Sequence, residues 1–238
     1  MKLRKILEKT YLNTSEGYTK IKEYLENEEK KIVVTLNPEG IMQALNDEEL
    51  YNVYMDENTI LYCESVGVKW AIKKCLKQNL EYIPGIELFE KLIKETKNND
   101  MSVYLYGATE EVITKFSDIL KQDGVNLKGF RNGYNLENKE EFFEKIKSED
   151  PDLIAFALGV GKQEKELYEL SKKTNKGIFI GVGGSFDVLS GTKKRAPKMV
   201  RKLKIEWLYR ILKEPSRIKR FLNNNVKFAF LVLKEKRK

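Results

Sequence analysis

The chain has 238 residues, of which 41% are hydrophobic and 34% are charged, and its formal net charge is +8. This length and apolar content suit one large α/β domain, or a domain with an appendage. Histidine is absent, which excludes Ser-His-Asp hydrolases, Cys-His proteases, HExxH metalloproteases and imidazole proton shuttles. Carboxylates are therefore the natural candidates for a general base.

Short apolar runs alternate with helical patterns between residues 31 and 184. This alternation is typical of a doubly wound α/β sheet that is at least partly parallel. The runs predict buried strands at 32–36, 60–63, 103–107, 153–159 and 178–183. The helical patterns predict helices at 39–50, 66–78, 86–97, 109–122, 137–148 and 162–175.

Positive charge is concentrated at the C-terminal end. Residues 192–238 contain 17 Lys and Arg against three Glu, whereas the residues before them carry a net charge of −6. We therefore predict a domain at 1–191 followed by a basic appendage at 192–238. Such an asymmetry implies an anionic partner, which could be a phosphate, a nucleic acid or an acidic membrane.

The basic appendage is also amphipathic. A helix from residue 217 onward would place Arg217, Arg220 and Lys227 beside a broad apolar face. This pattern fits a helix lying on an anionic membrane, or a helix docked on the domain with its basic side in solvent. No recognised nucleic-acid motif accompanies the charge, so nucleic acid is not expected as a partner. The predicted apolar face consists of Ile218, Phe221, Leu222, Val226, Ala229, Phe230 and Leu233.

No feature of the sequence predicts secretion or membrane insertion. Cys63 and Cys75 are too few for a disulfide scaffold and are typical of reduced thiols in a cytosolic protein. The N-terminal residues lack the apolar core of a signal peptide, and no window reaches the roughly 18–20 apolar residues of a membrane span. We therefore expect a cytoplasmic protein, which is still able to contact a membrane surface.

Candidate binding residues follow the predicted strands, because ligands of doubly wound sheets bind beyond the carboxyl ends of the strands. The hydroxyl and amide groups of TLNPE (35–39) suit sugar hydroxyls, although Asn37 could simply cap a helix. In GVGKQEKE (159–166), Lys162 and Gln163 could contact a phosphate, sugar or base, or could form an exposed first turn. Both interpretations stay open.

Two turns with small residues are further candidates. YGATEE (106–111) fits either a capped helix or a nucleotide contact through backbone amides. GVGGSFD (181–187) lets the backbone approach a ligand closely, but it has neither the GxGxxG nor the Walker spacing. A binding loop and a structural turn are both open there. TLNPEG supplies no GxGxxG turn after the first predicted strand, which disfavours a dinucleotide-dependent oxidoreductase.

The segment GVGGSFDVLSGTKKRAPKMVRKLKIEWLYRILKEPSRIKRF (181–221) closely resembles the signature of the WecG/TagA/CpsF glycosyltransferase family. TLNPEGI, PGIELF, VYLYGA, GFRNGY and LGVGKQE occur in the family's order, so the resemblance covers roughly residues 1–222. It implies a Rossmann-like sheet with a C-terminal appendage that helps to complete the active site at the membrane.

The resemblance also implies an activity. Enzymes of this family transfer N-acetylmannosamine or its uronic acid, with inversion, from a UDP-sugar to undecaprenyl-diphosphate-GlcNAc. Their products enter cell-wall teichoic acid or surface polysaccharide synthesis, and no metal or other cofactor is expected. The implied partners are the UDP-sugar, the polyprenyl-diphosphate-linked acceptor and an anionic membrane surface, with a homo-oligomer left open.

The resemblance assigns roles to individual residues. Glu64 matches the family's catalytic Asp, and Thr35 and Asn37 would hold the sugar. Arg195 could offset charge on the leaving group. The UDP portion would contact Gln163, Glu164, Gly181, Gly183, Gly184, Phe186 and Asp187, and the acceptor diphosphate would meet Arg210, Arg217 and Arg220.

The sequence departs from the family pattern at several of these points. Glu64 is one methylene longer than the family's Asp, and Glu87 also stands where an Asp is usual. Tyr82 replaces an Arg, and Gly161 replaces the Pro of the LGxPxQE pattern. These changes leave open an alternative, a non-catalytic UDP-sugar-binding paralogue that acts as a partner or regulator.

Overall fold

The computed structural model describes residues 2–11, 14–134, 136–203, 205–213 and 217–236. For residues 14, 210, 211, 217, 219–221 and 236 it describes the backbone alone.

The described residues form a sheet of seven strands in the order β1-β3-β2-β7-β6-β4-β5. Each pairing between these strands is parallel, so the prediction of a doubly wound α/β fold is confirmed. The strands are β1 (Thr10–Tyr11), β2 (Lys31–Leu36), β3 (Thr59–Cys63), β4 (Ser102–Gly107), β5 (Asn126–Arg131), β6 (Leu153–Ala157) and β7 (Ile178–Gly181).

Helices follow most of the strands and cover both faces of the sheet. They are α1 (Lys2–Lys9), α2 (Thr14–Glu26), α3 (Pro38–Asn46), α4 (Glu48–Met55), α5 (Val66–Cys75), α6 (Gly85–Asn98), α7 (Glu110–Gln122), α8 (Lys139–Glu149), α9 (Lys162–Ser171), α10 (Ser185–Leu189), α11 (Lys198–Lys202), α12 (Glu206–Lys213) and α13 (Arg217–Lys236). The single helix predicted at 39–50 is wrong. Asp47 has an extended backbone that ends α3, and its side chain accepts a hydrogen bond from the Leu50 N–H to cap α4.

Alternate residues of each central strand belong to different cores. Val34 of β2 packs in the core beneath α3, α5 and α9, whereas Val33 packs in the core beneath α2, α6 and α7. The strands are therefore buried on both sides, as parallel strands covered by helices require. This arrangement leaves the carboxyl edge of the sheet for the loops that follow β2, β3, β4, β6 and β7.

Helix α13 packs on the domain through a face that the sequence pattern did not predict. Phe228 and Val232 are almost fully buried in the core shared with α3 and α5. Most of the predicted apolar face stays in solvent, namely Ile218, Leu222, Val226, Phe230 and Leu233. Of the two interpretations of this helix, docking on the domain is thus confirmed, with an apolar surface left over on its outer side.

Within the described part of the chain, no helix combines the length and the hydrophobicity needed to cross a bilayer. The division into a domain at 1–191 and an appendage at 192–238 stays a prediction.

Candidate active site

A cleft of about 1400 Å³ lies at the carboxyl edge of the sheet. Its walls come from the loops after β2, β3, β4, β6 and β7, together with parts of α6, α11, α12 and α13. This is the edge at which doubly wound sheets bind their ligands, and the cleft has room for more than one substrate.

Three of the predicted residues meet at one wall of this cleft. Because β2 pairs with β3, with Leu36 opposite Cys63, the residues that follow the two strands are neighbours. The Nδ2 of Asn37 donates a hydrogen bond to Oε1 of Glu64 over 2.9 Å. The hydroxyl of Thr35 donates to the Gly181 carbonyl over 3.3 Å, which ties the same wall to the end of β7.

Asn37 is held in place from its other side. Its Oδ1 accepts a hydrogen bond from the Gly40 N–H over 2.9 Å and so caps α3, with Pro38 at the first helical position. The capping interpretation of Asn37 is therefore confirmed, and its NH₂ group orients the carboxylate of Glu64. The contact of Asn37 with a sugar hydroxyl stays a prediction.

Sequence reasoning missed the contact on the other side of Glu64. Gly85 is the first residue of α6, and a Cβ at this position would come far inside 3.0 Å of Glu64 Oε2. Glycine therefore leaves the space that the longer carboxylate occupies. The segment PGIELF pointed to the family resemblance but gave no sign of this contact.

Gln163 and Glu164 form a buried hydrogen-bond network between two loops. Gln163 Oε1 accepts from the Gly183 N–H over 3.2 Å, and its Nε2 donates to Glu164 Oε1 over 2.9 Å. The other Glu164 oxygen accepts from the Gly161 N–H over 2.6 Å. Gln163 also lies on the cleft wall, whereas Glu164 lies beneath it. The network therefore fixes the loop after β6 relative to the loop after β7.

Burial sets the ionisation of Glu164. It raises the pKa of this carboxyl above the usual range, although the hydrogen bonds from Gln163 and Gly161 oppose the shift. The charge of nearby Glu64 raises the pKa of Glu164 further. Burial therefore opposes ionisation of this carboxyl.

The glycine loop after β7 divides into a core part and an exposed part. Phe186 is fully buried and its ring lies 5.3 Å from that of Phe116, so it supports the loop from below. A Cβ on Gly181 would lie 2.5 Å from Gln163 Nε2, which explains the need for glycine there. Gly183, Gly184 and Asp187 line the cleft, and Asp187 forms an ion pair with Lys193.

Arg195 lies behind the cleft wall. Its Nη2 is 2.6 Å from Glu87 Oε1 and its Nη1 is 3.5 Å from Glu90 Oε2. Arg201, on the wall itself, is 3.9 Å from the same Glu87 oxygen. These ion pairs attach the segment before and within α11 to α6. Arg201 was not singled out from the sequence, although it belongs to the basic appendage.

The predictions for Arg210, Arg217 and Arg220 concern side chains that lie outside those described by the structure. Other positive groups line the cleft. They are Lys162 at the start of α9, Lys193, Arg201 and Lys202.

The chain therefore has a doubly wound α/β fold with a cleft at the carboxyl edge of its sheet. This cleft carries an acidic group and several basic residues. The model of the glycosyl transferase WecG/TagA/CpsF family matches residues 6–238. The chain therefore belongs to the WecG/TagA/CpsF family and is a glycosyltransferase.

Two relatives are similar to this chain over most of their length. One from Bacillus subtilis (strain 168) is 32% identical, over 91% of this chain and 84% of the relative. Another, from Staphylococcus aureus (strain MW2), is 35% identical over 87% of this chain and 81% of the relative. Both are named N-acetylglucosaminyldiphosphoundecaprenol N-acetyl-beta-D-mannosaminyltransferase.

Proposed function

We propose that this chain transfers N-acetylmannosamine, or a related hexose, from a UDP-sugar to the GlcNAc of an undecaprenyl-diphosphate-linked acceptor. The names of the relatives from B. subtilis and S. aureus supply the sugar and the acceptor. The observation that carries the proposal is a carboxylate, Glu64, held by the Asn37 amide at the wall of a cleft large enough for both substrates. The product would enter teichoic acid or surface polysaccharide synthesis.

The proposed reaction is a single displacement. The acceptor hydroxyl oxygen attacks the anomeric carbon of the donor while Glu64 takes the hydroxyl proton. The bond between that carbon and the diphosphate breaks, UDP leaves with the electron pair, and the anomeric configuration inverts. Asn37 keeps the carboxylate oriented through its hydrogen bond, and Thr35, at the end of β2, contacts the reacting sugar.

The UDP portion would occupy the half of the cleft formed by the loops after β6 and β7. Gly184 and Asp187 line this half of the cleft. Gln163 and Glu164 act there chiefly by fixing the loop positions. Phe186 packs beneath the loop.

Positive groups would offset the diphosphate charge in place of a metal. Lys162, Lys193 and Arg201 reach the cleft directly, whereas Arg195, paired with Glu87 and Glu90 behind the wall, would hold the segment before α11 in position. The appendage arginines Arg210, Arg217 and Arg220 would add cations at the acceptor diphosphate. Activity that persists in excess EDTA is expected on this view.

The appendage, residues 192–238, would bring the cleft to the inner face of the cell membrane. Both α12 and α13 expose apolar side chains, among them Leu212, Leu222 and Phe230. The segment also carries a net charge of +14. Apolar groups that enter the headgroup region and cations that meet anionic lipid are the two components of interfacial binding.

The decisive experiment measures UDP release from a panel of UDP-sugars with a short-chain polyprenyl-diphosphate-GlcNAc acceptor. We expect release that depends on the acceptor and falls by at least about a hundredfold in Glu64→Gln, since the mutant cannot take the proton. UDP should bind the mutant as tightly as wild type. Turnover that survives Glu64→Gln would show that another residue is the base. UDP binding without turnover in the wild-type protein would contradict the proposed activity.

A further inference from the structure

The inward side of helix α13 is apolar toward its C-terminal end and polar where it reaches the cleft. Phe228 and Val232 lie four residues apart on the stripe that packs against α3 and α5. The backbone carbonyl of Val232 lies 3.7 Å from the thiol of Cys75, at the end of α5. Four residues before Phe228, the same stripe continues to Asn224, which no longer meets apolar core. Asn224 and its neighbour Asn225 line the cleft instead.

The position of α13 determines which half of the cleft these amides face. Helix α3 begins directly after Asn37, and α5 begins two residues after Glu64. Because α13 packs on both helices, it lies on the half of the cleft that holds the carboxylate. The glycine-containing loops assigned to UDP follow β7, which pairs with β2, and β6 beyond it, so they lie on the opposite side of β2 from β3.

The chemistry of the two residues points to an uncharged ligand. Each carboxamide offers two N–H donors and a carbonyl acceptor, which matches the hydroxyl and acetamido groups of an amino sugar. Because consecutive helix residues point in different directions, the two side chains can contact two separate groups of one sugar. A diphosphate would instead favour the cations that lie elsewhere on the cleft wall, such as Arg201 and Lys202.

We propose that Asn224 and Asn225 bind the sugar of the acceptor through hydrogen bonds to its hydroxyl and acetamido groups. The proposal rests on the proposed function, because it takes the acceptor to be a lipid-linked amino sugar. The same helix exposes Leu222, Val226 and Phe230 on its outer side. One helix therefore contacts the membrane that carries the acceptor and reaches the cleft in which the acceptor's sugar reacts.

The chain offers a matched control for this proposal. Asn223 precedes the pair on the same helix, but it is exposed and does not line the cleft. Alanine at any of the three positions favours the helix, so none of the variants is expected to unfold. The test compares Asn223→Ala with Asn224→Ala, Asn225→Ala and the double variant in the full chain.

Steady-state kinetics with the short-chain acceptor and the UDP-sugar give the main result. The loss of a neutral hydrogen bond should raise the acceptor KM by about 3–10-fold for each cleft residue. The KM of the donor and the dissociation constant of UDP should stay at wild-type values, and Asn223→Ala should match wild type. A change confined to the donor KM, or an equal effect of all three substitutions, would overturn the proposal.

Calorimetric titration of the acceptor in the absence of donor separates this proposal from the proposed function. Acceptor binding that is weakened only by Asn224→Ala and Asn225→Ala supports the sugar contact even if turnover is never observed. Acceptor binding that is equally tight in all variants would overturn the contact while the transfer activity could still hold.

Discussion

The space beside Glu64 gives a way to displace the carboxylate without changing it. Gly85→Ala would add a methyl group far inside 3.0 Å of Glu64 Oε2, whereas ordinary contact begins at 3.4 Å. The carboxylate would have to retreat by about 1 Å, and a misplacement of that size can cost about a hundredfold in rate. We therefore expect kcat to fall by about a hundredfold, equivalent to about 2.7 kcal/mol in the activation barrier.

The fold itself should tolerate this substitution. The obstructing atom is the end of a flexible side chain, and the next neighbour, Thr35 Cγ2, would lie 3.2 Å from the new methyl group. Alanine is also a better helix former than glycine, by up to about 1 kcal/mol. The melting temperature and UDP affinity of Gly85→Ala should therefore stay close to wild type while kcat falls.

The assay is UDP release at saturating donor and acceptor, carried out in two backgrounds. Glu64→Asp shortens the side chain by one methylene and removes the clash, so Gly85→Ala should cost much less there than in the wild-type background. Such non-additivity is expected of residues in direct contact. A wild-type kcat for Gly85→Ala, or an equal loss in both backgrounds, would refute the role given to this contact.

Three further predictions address the cleft, the sheet and the appendage. Asn37→Asp keeps the helix cap but sets a negative charge beside Glu64, so the acidic limb of the pH profile of kcat should move to higher pH; an unmoved limb would argue against Glu64 as base. Burial alone would raise the pKa of Asp152, but hydrogen bonds from Ser102 and the ion pair with Lys176 hold this pKa below its usual range. The free energy that this carboxylate contributes to folding is present above its unfolded-state pKa and is lost as the pH falls through its folded-state pKa. The free energy of unfolding of Asp152→Asn, measured by chemical denaturation below about pH 4, should therefore depend less steeply on pH than that of wild type. Phe230→Glu should leave the melting temperature unchanged, because this ring is 69% exposed. Its partition coefficient onto anionic vesicles, measured by co-sedimentation, should fall by about 10-fold or more. An unchanged partition coefficient would exclude this face from the membrane contact.

The parts of the fold that the sequence predicts are those with a strong local pattern. The central strands are buried on both sides and appear as continuous apolar runs, so they were found within a few residues of their bounds. Strand β5 was missed because its sequence, NLKGFR, is mostly polar and lies at an exposed edge. Strand β1 has only two residues, too few for any periodicity to appear.

The same reasoning explains the outcome for the candidate site. Positions at or directly after the ends of parallel strands meet at one edge, which is why Thr35, near the end of β2, comes together with Asn37 and Glu64. The sequence could not predict that Glu164 and Phe186 turn inward, because the direction of a side chain within a first helical turn depends on how the helix sits on the sheet. For α13, the periodicity indicated an apolar face, but the packing selects Phe228 and Val232.

The longer carboxylate at position 64 is also explained by its surroundings. Relative to the aspartate of the family pattern, Glu64 extends one methylene further, and its Oε2 then lies against Gly85, where any side chain would obstruct it. Asn37 meanwhile fixes Oε1 through an amide that is itself held by the cap of α3. This steric boundary and this hydrogen bond both restrict the position of the carboxylate. If Glu64 is the base, its additional methylene can be accommodated because residue 85 has no side chain.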